Sequence, residues 1–242
     1  MLRELVLLLA VWVALPAVVL ADPLPATVID LSSWKLTLPV DTPIKGNPDE
    51  ISAADLQTFS HPDFFHLGPA GKGVVFRAPC GGATTKGSKY PRCELREWNR
   101  TGESLASWST TDPVKRELAL RLAITSTPAV KQHVVCAQIH DKKNDLLMIR
   151  LEGEKLLIER TGESDVMIDN HYQTGTPFDL RISVRNGVVE VAYNGQQKLQ
   201  WKVDRSGCYF KAGCYTQSNP SRGDAADASG EVVIYALRYV QP

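Results

Sequence analysis

The sequence predicts an all-β fold: a single-domain, two-sheet antiparallel sandwich or jelly roll. From Val74 onward, short segments rich in β-branched and apolar residues alternate with Gly, Pro and Asn. Two Asn-Gly dipeptides fall between such segments. No internal repeat or low-complexity linker divides the 242 residues, and the roughly 220 that follow a leader suit one large β domain with a substantial core.

The first element precedes the fold. Arg3 and Glu4 are followed by the apolar run Leu5 to Leu20, which ends in Val19-Leu20-Ala21. A run so short and so near the terminus reads as a signal peptide over residues 1–21, cleaved after Ala21, with an uncleaved anchor as the weaker alternative. No later stretch approaches the roughly 20 apolar residues of a spanning helix. Residues 22–242 are therefore expected to be a secreted (extracellular or periplasmic) monomer, free of the membrane once the signal is cleaved.

Ser52 to Phe65 is the one helical candidate, with Ser52 capping Ala53-Ala54-Asp55-Leu56. The expected strands then follow as Val74 to Ala78, Glu117 to Ile124, His133 to His140, Leu146 to Leu151, Lys155 to Arg160, Phe178 to Arg185, Val188 to Tyr193 and Glu231 to Tyr239. Arg185-Asn186-Gly187-Val188 and Tyr193-Asn194-Gly195-Gln196 read as hairpins, because Asn-Gly readily adopts the positive φ angles of a type I′ turn.

Charge excludes some partners. Lys and Arg number 27, as do Asp and Glu, so the field of the whole molecule recruits nothing. Nucleic acid, which calls for a broad basic excess, is not expected. An anionic ligand would have to be drawn by local clusters of Arg and Lys.

Five cysteines in an exported chain leave one unpaired. Cys136, inside the apolar run His133-Val134-Val135-Cys136-Ala137, suits a buried free thiol. Cys208 with Cys214 and Cys80 with Cys93 are then the local pairs expected to form disulfides, although spacing alone does not fix them.

Three strand-like segments carry polar residues at alternate positions. A strand places Arg92, Glu94 and Arg96 on one face, with Cys93 and Leu95 on the other. Gln138 and His140 likewise share a face opposite Ile139, and Tyr209, Lys211, Tyr215 and Gln217 align by the same period, with Gly213 leaving room for close approach. Each segment also has a purely structural reading: a solvated ion-paired strand face, a satisfied edge histidine, a tyrosine with its hydroxyl at the rim. The scattered histidines His61, His66, His133, His140 and His171 lack ligand-like spacing, and Asp224 and Asp227 read as exposed turn residues. No catalytic metal and no cofactor are expected.

Arg92-Cys93-Glu94-Leu95-Arg96, Gln138-Ile139-His140 and Tyr209-Phe210-Lys211-Ala212-Gly213-Cys214-Tyr215-Thr216-Gln217 resemble, in order and approximate spacing, the three signature blocks of the alginate lyases of polysaccharide lyase family 7. The likeness extends from Ile29-Asp30-Leu31-Ser32-Ser33-Trp34-Lys35-Leu36-Thr37-Leu38-Pro39 to Tyr235-Ala236-Leu237-Arg238. It implies a β-jelly roll whose concave sheet forms the substrate groove, and an anionic uronan such as alginate as the partner. Cys93 stands where the family usually has Ser or Thr, and Cys214 where Asn or a small or apolar residue is common; this difference favours the pairing of Cys208 with Cys214.

What the resemblance implies about roles follows β-elimination chemistry. The C5 proton of a uronate lies beside a carboxylate, whose charge must be neutralised before the proton can leave; Arg92 and Gln138 take that role. His140 is then the base and Tyr215 the acid toward the departing glycosidic oxygen, with Tyr215 able to serve as both when stereochemistry puts the proton on its side. Glu94, Arg96, Lys211 and Gln217 would hold neighbouring sugars. Ile139 at the middle of its block accompanies acceptance of guluronate-containing blocks in this family, and some relatives cleave β-1,4-glucuronan.

Overall fold

Fifteen strands form among residues 23–42, 46–99 and 104–240, which this computed structural model describes. The leader expected over residues 1–21 lies outside them. The first strands are β1 (Trp34–Thr37), β2 (Glu50–Ile51), β3 (Phe65–Leu67), β4 (Val74–Pro79) and β5 (Arg92–Glu97). Then come β6 (Arg116–Ser126), β7 (His133–His140), β8 (Asp145–Glu152), β9 (Lys155–Arg160) and β10 (Val166–Asp169). The chain closes with β11 (Phe178–Arg185), β12 (Val188–Tyr193), β13 (Gln196–Lys202), β14 (Tyr209–Thr216) and β15 (Ser229–Val240).

These strands build two antiparallel sheets, one ordered β10-β9-β8-β7-β14-β5-β1-β2 and the other β13-β12-β11-β6-β15-β4-β3. The result is the expected all-β jelly roll. Strands remote in sequence lie side by side, β14 between β5 and β7, and β15 between β4 and β6. Trp34, Phe65, Phe76, Phe178 and Phe210 are fully buried in the core. Both hairpins form as the Asn-Gly pairs predict, with φ of 50° and 76° at Asn186 and Gly187 and of 48° and 78° at Asn194 and Gly195.

The helix expected from Ser52 shrinks to a single 3-10 turn, Asp55–Gln57. Ser52 does accept the Asp55 amide at 3.3 Å, but Pro62 follows within two turns and the chain enters β3 at Phe65. Asp224, expected in an exposed turn, is 4 % exposed and accepts the Val130 and Lys131 amides and the Ser218 hydroxyl. It ties the chain before β7 to the loop after β14.

The disulfide expectations are overturned, for all five cysteines are free. Cys208 and Cys214 lie along one extended segment, six residues and about 20 Å apart, far beyond the reach of a disulfide. Cys80 follows β4 in one sheet and sits beside Ser218 and Asp224, whereas Cys93 is on β5 in the other and donates to the Phe64 carbonyl. Cys136 is buried, as its apolar setting predicts, with its thiol 3.6 Å from the Ile149 carbonyl. Burial pushes the Cys80 thiol up to about 11 and those of Cys208 and Cys214 up to about 12, so these groups behave as small hydrophobes.

Candidate active site

Strand order assembles the site. Because β14 runs between β5 and β7, the register sets Tyr215 opposite Arg92, Lys211 opposite both Arg96 and Gln138, and Tyr209 opposite His140. Three segments whose polar faces were separate in the sequence thus become one continuous surface. Gly213 makes the join possible. It adopts φ of 133°, and a Cβ there would meet the Cys93 carbonyl at 2.7 Å and the Phe76 ring at 2.9 Å. The space expected there for a ligand is taken by β5 itself.

A polar groove of about 460 Å³ opens on this face. Arg92, Arg96, Gln138, His140, Lys211, Tyr215 and Gln217 all line it. Glu94 lies beneath the floor, 1 % exposed, and cannot be a primary sugar contact. Its Oε2 accepts Arg92 Nη1 at 3.1 Å and pairs with Lys211 Nζ, and its Oε1 accepts Gln138 Nε2. One carboxylate therefore holds three groove side chains at once. Burial alone would raise its pKa, but Lys211 and Arg92 overcome that and hold it below the usual carboxylate value.

Lys211 feels the reverse pressure. Burial, then the neighbouring Arg92, push its ammonium down to about 8 despite the pull of Glu94. Arg92 and Arg96 are held face-on by aromatic rings, the Arg92 guanidinium 4.0 Å from the Tyr215 centroid and that of Arg96 3.9 Å from Tyr209.

His140 is oriented from two sides. Its Nδ1 lies 2.5 Å from the Asp141 carbonyl and 3.0 Å from the Tyr209 hydroxyl, with the rings stacked at 5.4 Å. A carbonyl can only accept, so Nδ1 carries the hydrogen and Nε2 is left with a free lone pair. Burial lowers the His140 pKa, and Lys211 adds to this, so the ring is neutral at neutral pH. Asp141 in turn accepts the Lys143 and Asn144 amides at 2.6 and 2.7 Å and Arg205 at 3.1 Å, which fixes the turn behind the imidazole.

Gln217 sits at another part of the groove, accepting Arg150 Nη1 at 3.4 Å. Tyr209 and Ser88 were not singled out from the sequence as functional residues. Tyr209 carried a signal in its alternation with Lys211, but Ser88 lies in a loop without periodicity. Among the described residues, no group of three or more His, Cys, Asp or Glu side chains is placed to hold a metal ion.

Comparison with known proteins agrees with this geometry. The family model described as alginate lyase matches residues 29–241. A curated alginate lyase of Klebsiella pneumoniae is 43 % identical over 86 residues, a match covering 35 % of this chain and 28 % of that protein. Among solved structures, an alginate lyase of polysaccharide lyase family 7 is 46 % identical with a TM-score of 0.86, covering 90 % of this chain and 99 % of its own. The alginate lyase of a Corynebacterium species is 39 % identical with a TM-score of 0.84, covering 90 % and 97 %. A family 7 alginate lyase solved with product is 26 % identical with a TM-score of 0.77, covering 90 % and 99 %. With the family model spanning nearly all of the described fold and the three sequence blocks meeting in one groove, this chain belongs to the alginate lyases of polysaccharide lyase family 7.

Proposed function

We propose that residues 22–242 form one catalytic domain of an exported polysaccharide lyase. It cleaves 1,4-linked uronan, foremost alginate in its guluronate-containing blocks, by β-elimination and leaves 4-deoxy unsaturated uronate ends. The observation that carries this reading is the convergence of Arg92, Gln138, His140 and Tyr215 on one groove. One family 7 relative, solved with product in one variant and with substrate in another, supports an alginate oligosaccharide as the ligand.

In this scheme Arg92 and the free N–H of Gln138 neutralise the uronate carboxylate, which makes the C5 proton removable. His140 Nε2 takes that proton, and Tyr215 protonates the departing glycosidic oxygen. Where the proton lies on the other side, Tyr215 serves as both base and acid. Glu94 acts from below by fixing Arg92, Gln138 and Lys211, while Arg96, Lys211 and Gln217 meet neighbouring sugars. Side chains alone carry charge neutralisation and proton transfer.

A hydrolase would need two carboxylates flanking the scissile bond. Glu97 cannot partner Glu94, because it is fully buried on the opposite strand face, accepting Trp108 Nε1 at 2.8 Å and the Phe210 amide at 2.7 Å. The deciding experiment follows the ultraviolet absorbance of unsaturated uronate on polyguluronate, polymannuronate and glucuronan. A rise is expected first on polyguluronate. Silence on all three would leave only a uronan-binding module, and a rise on glucuronan alone would move the substrate.

A further inference from the structure

A hydroxyl in the loop between β4 and β5 has no part in the scheme above, yet it touches two of its members. Ser88 Oγ lies 3.3 Å from the Tyr215 hydroxyl and accepts Arg92 Nη2 at 3.2 Å. It also accepts the Tyr90 amide at 3.2 Å and reaches the Tyr90 carbonyl at 3.0 Å.

Counting hydrogens constrains what this contact can do. A serine hydroxyl offers two lone pairs and one hydrogen. The Arg92 and Tyr90 N–H groups can only donate, so together they occupy both lone pairs. Tyr215 therefore finds no acceptor at Ser88, and the contact can run only from Ser88 to Tyr215. The phenolic hydrogen of Tyr215 is left for the groove. The Ser88 hydrogen has two destinations, the Tyr90 carbonyl and the Tyr215 oxygen. A neutral phenol is the poorer acceptor of the two, while a phenolate, being charged, is the better one.

We propose that Ser88 is a positioning residue for proton transfer: its single hydrogen turns from the Tyr90 carbonyl to the Tyr215 oxygen as that oxygen loses its proton. This rests on the lyase reading of Tyr215. In the His140 route, the C5 proton passes to His140 Nε2 and the C5–H electron pair becomes the C4–C5 double bond. The C4–O bond then breaks with its pair on the glycosidic oxygen, and Tyr215 gives that oxygen its proton. The phenolate left behind is met by a donor already in place, until a proton from solvent restores it. In the route through Tyr215 alone, the same donor serves the phenolate that begins the reaction. Arg92 ties the two residues together, bonding Ser88 at one end while its guanidinium lies over the Tyr215 ring.

The test compares Ser88→Thr with Ser88→Val, side chains of equal shape that differ in the hydroxyl, alongside Ser88→Ala, on whichever uronan the wild type cleaves. Loss of the hydroxyl should lower kcat by about tenfold or more with KM little changed. It should also move the pH profile of kcat to higher pH, and Ser88→Thr should restore both. In a Tyr215→Phe background, Ser88→Ala should cost nothing further. A loss that leaves the pH profile unmoved, or that persists in the Tyr215→Phe background, would mean that Ser88 acts only through Arg92, and would overturn the proposal. Equal kcat for the Thr and Val variants would do the same. A wild type inert on every uronan would instead remove the lyase reading on which it rests.

Discussion

Glu94 decides the electrostatics of the groove at the scale of single residues, because Arg92, Gln138 and Lys211 all close on it. Removing its charge by Glu94→Gln should destabilise the fold by about 3–5 kcal/mol, the typical cost of stripping one partner from a buried pair. The sign with pH follows from its lowered pKa. The charged form contributes fully above the ordinary carboxylate range, and the contribution disappears as pH falls through the lowered value. The stability gap between wild type and variant, read by urea unfolding, should therefore shrink in acid; a gap independent of pH would show that Glu94 is not ionised in the fold. Lys211 sets the other limit. With its ammonium pushed down to about 8, the groove loses a positive charge as pH rises through that value, so KM for an anionic chain should rise. Lys211→Arg, which stays charged, should flatten that rise. His140→Ala and Tyr215→Phe should each lower kcat by about a hundredfold to ten-thousandfold, and a fully active Tyr215→Phe enzyme would refute its proton-transfer role.

At the scale of elements, the joint between β5 and β14 is a point of close approach. Gly213→Ala should lower the melting temperature sharply, by the equivalent of about 2 kcal/mol or more, because its Cβ would strike the β5 backbone in a conformation that already disfavours a side chain. Gly187→Ala, at a hairpin where the nearest atom is 3.8 Å away, should cost only about 1 kcal/mol. Equal losses would mean that conformation rather than contact governs both. The same contrast explains what could be read from the chain. β7, β9, β11 and β12 declare themselves by runs of β-branched and apolar residues between turn residues, and their observed bounds match the expected ones. β2 has two residues, and β13 reads Gln-Gln-Lys-Leu-Gln-Trp-Lys, too polar to announce a strand. For the site, period-two alternation revealed each polar face. Their meeting depends on β14 lying between β5 and β7, a long-range choice that local pattern does not encode. Cys208 and Cys214 misled for the same reason: nearness in sequence suggests a bridge only until an extended strand separates the two thiols.

For the whole molecule, balanced charge makes salt a useful probe. With 27 cations and 27 anions overall, attraction for a polyanion must come from the groove, so KM should climb with ionic strength while thermal stability changes little. Unfolding without reductant should release five titratable thiols, the number free in the fold; a count of one would restore two disulfides. The insertion of β14 also orders events in time. Arg92 and His140 leave the ribosome before β14, but the strand that joins their faces into one groove ends at Thr216, and β15 must still close the second sheet. Contacts this remote in sequence form slowly and late. A nascent chain that stops short of β14 should therefore carry Arg92 and His140 and none of their chemistry, which leaves the growing polypeptide inert toward any uronan it meets until that strand has been added.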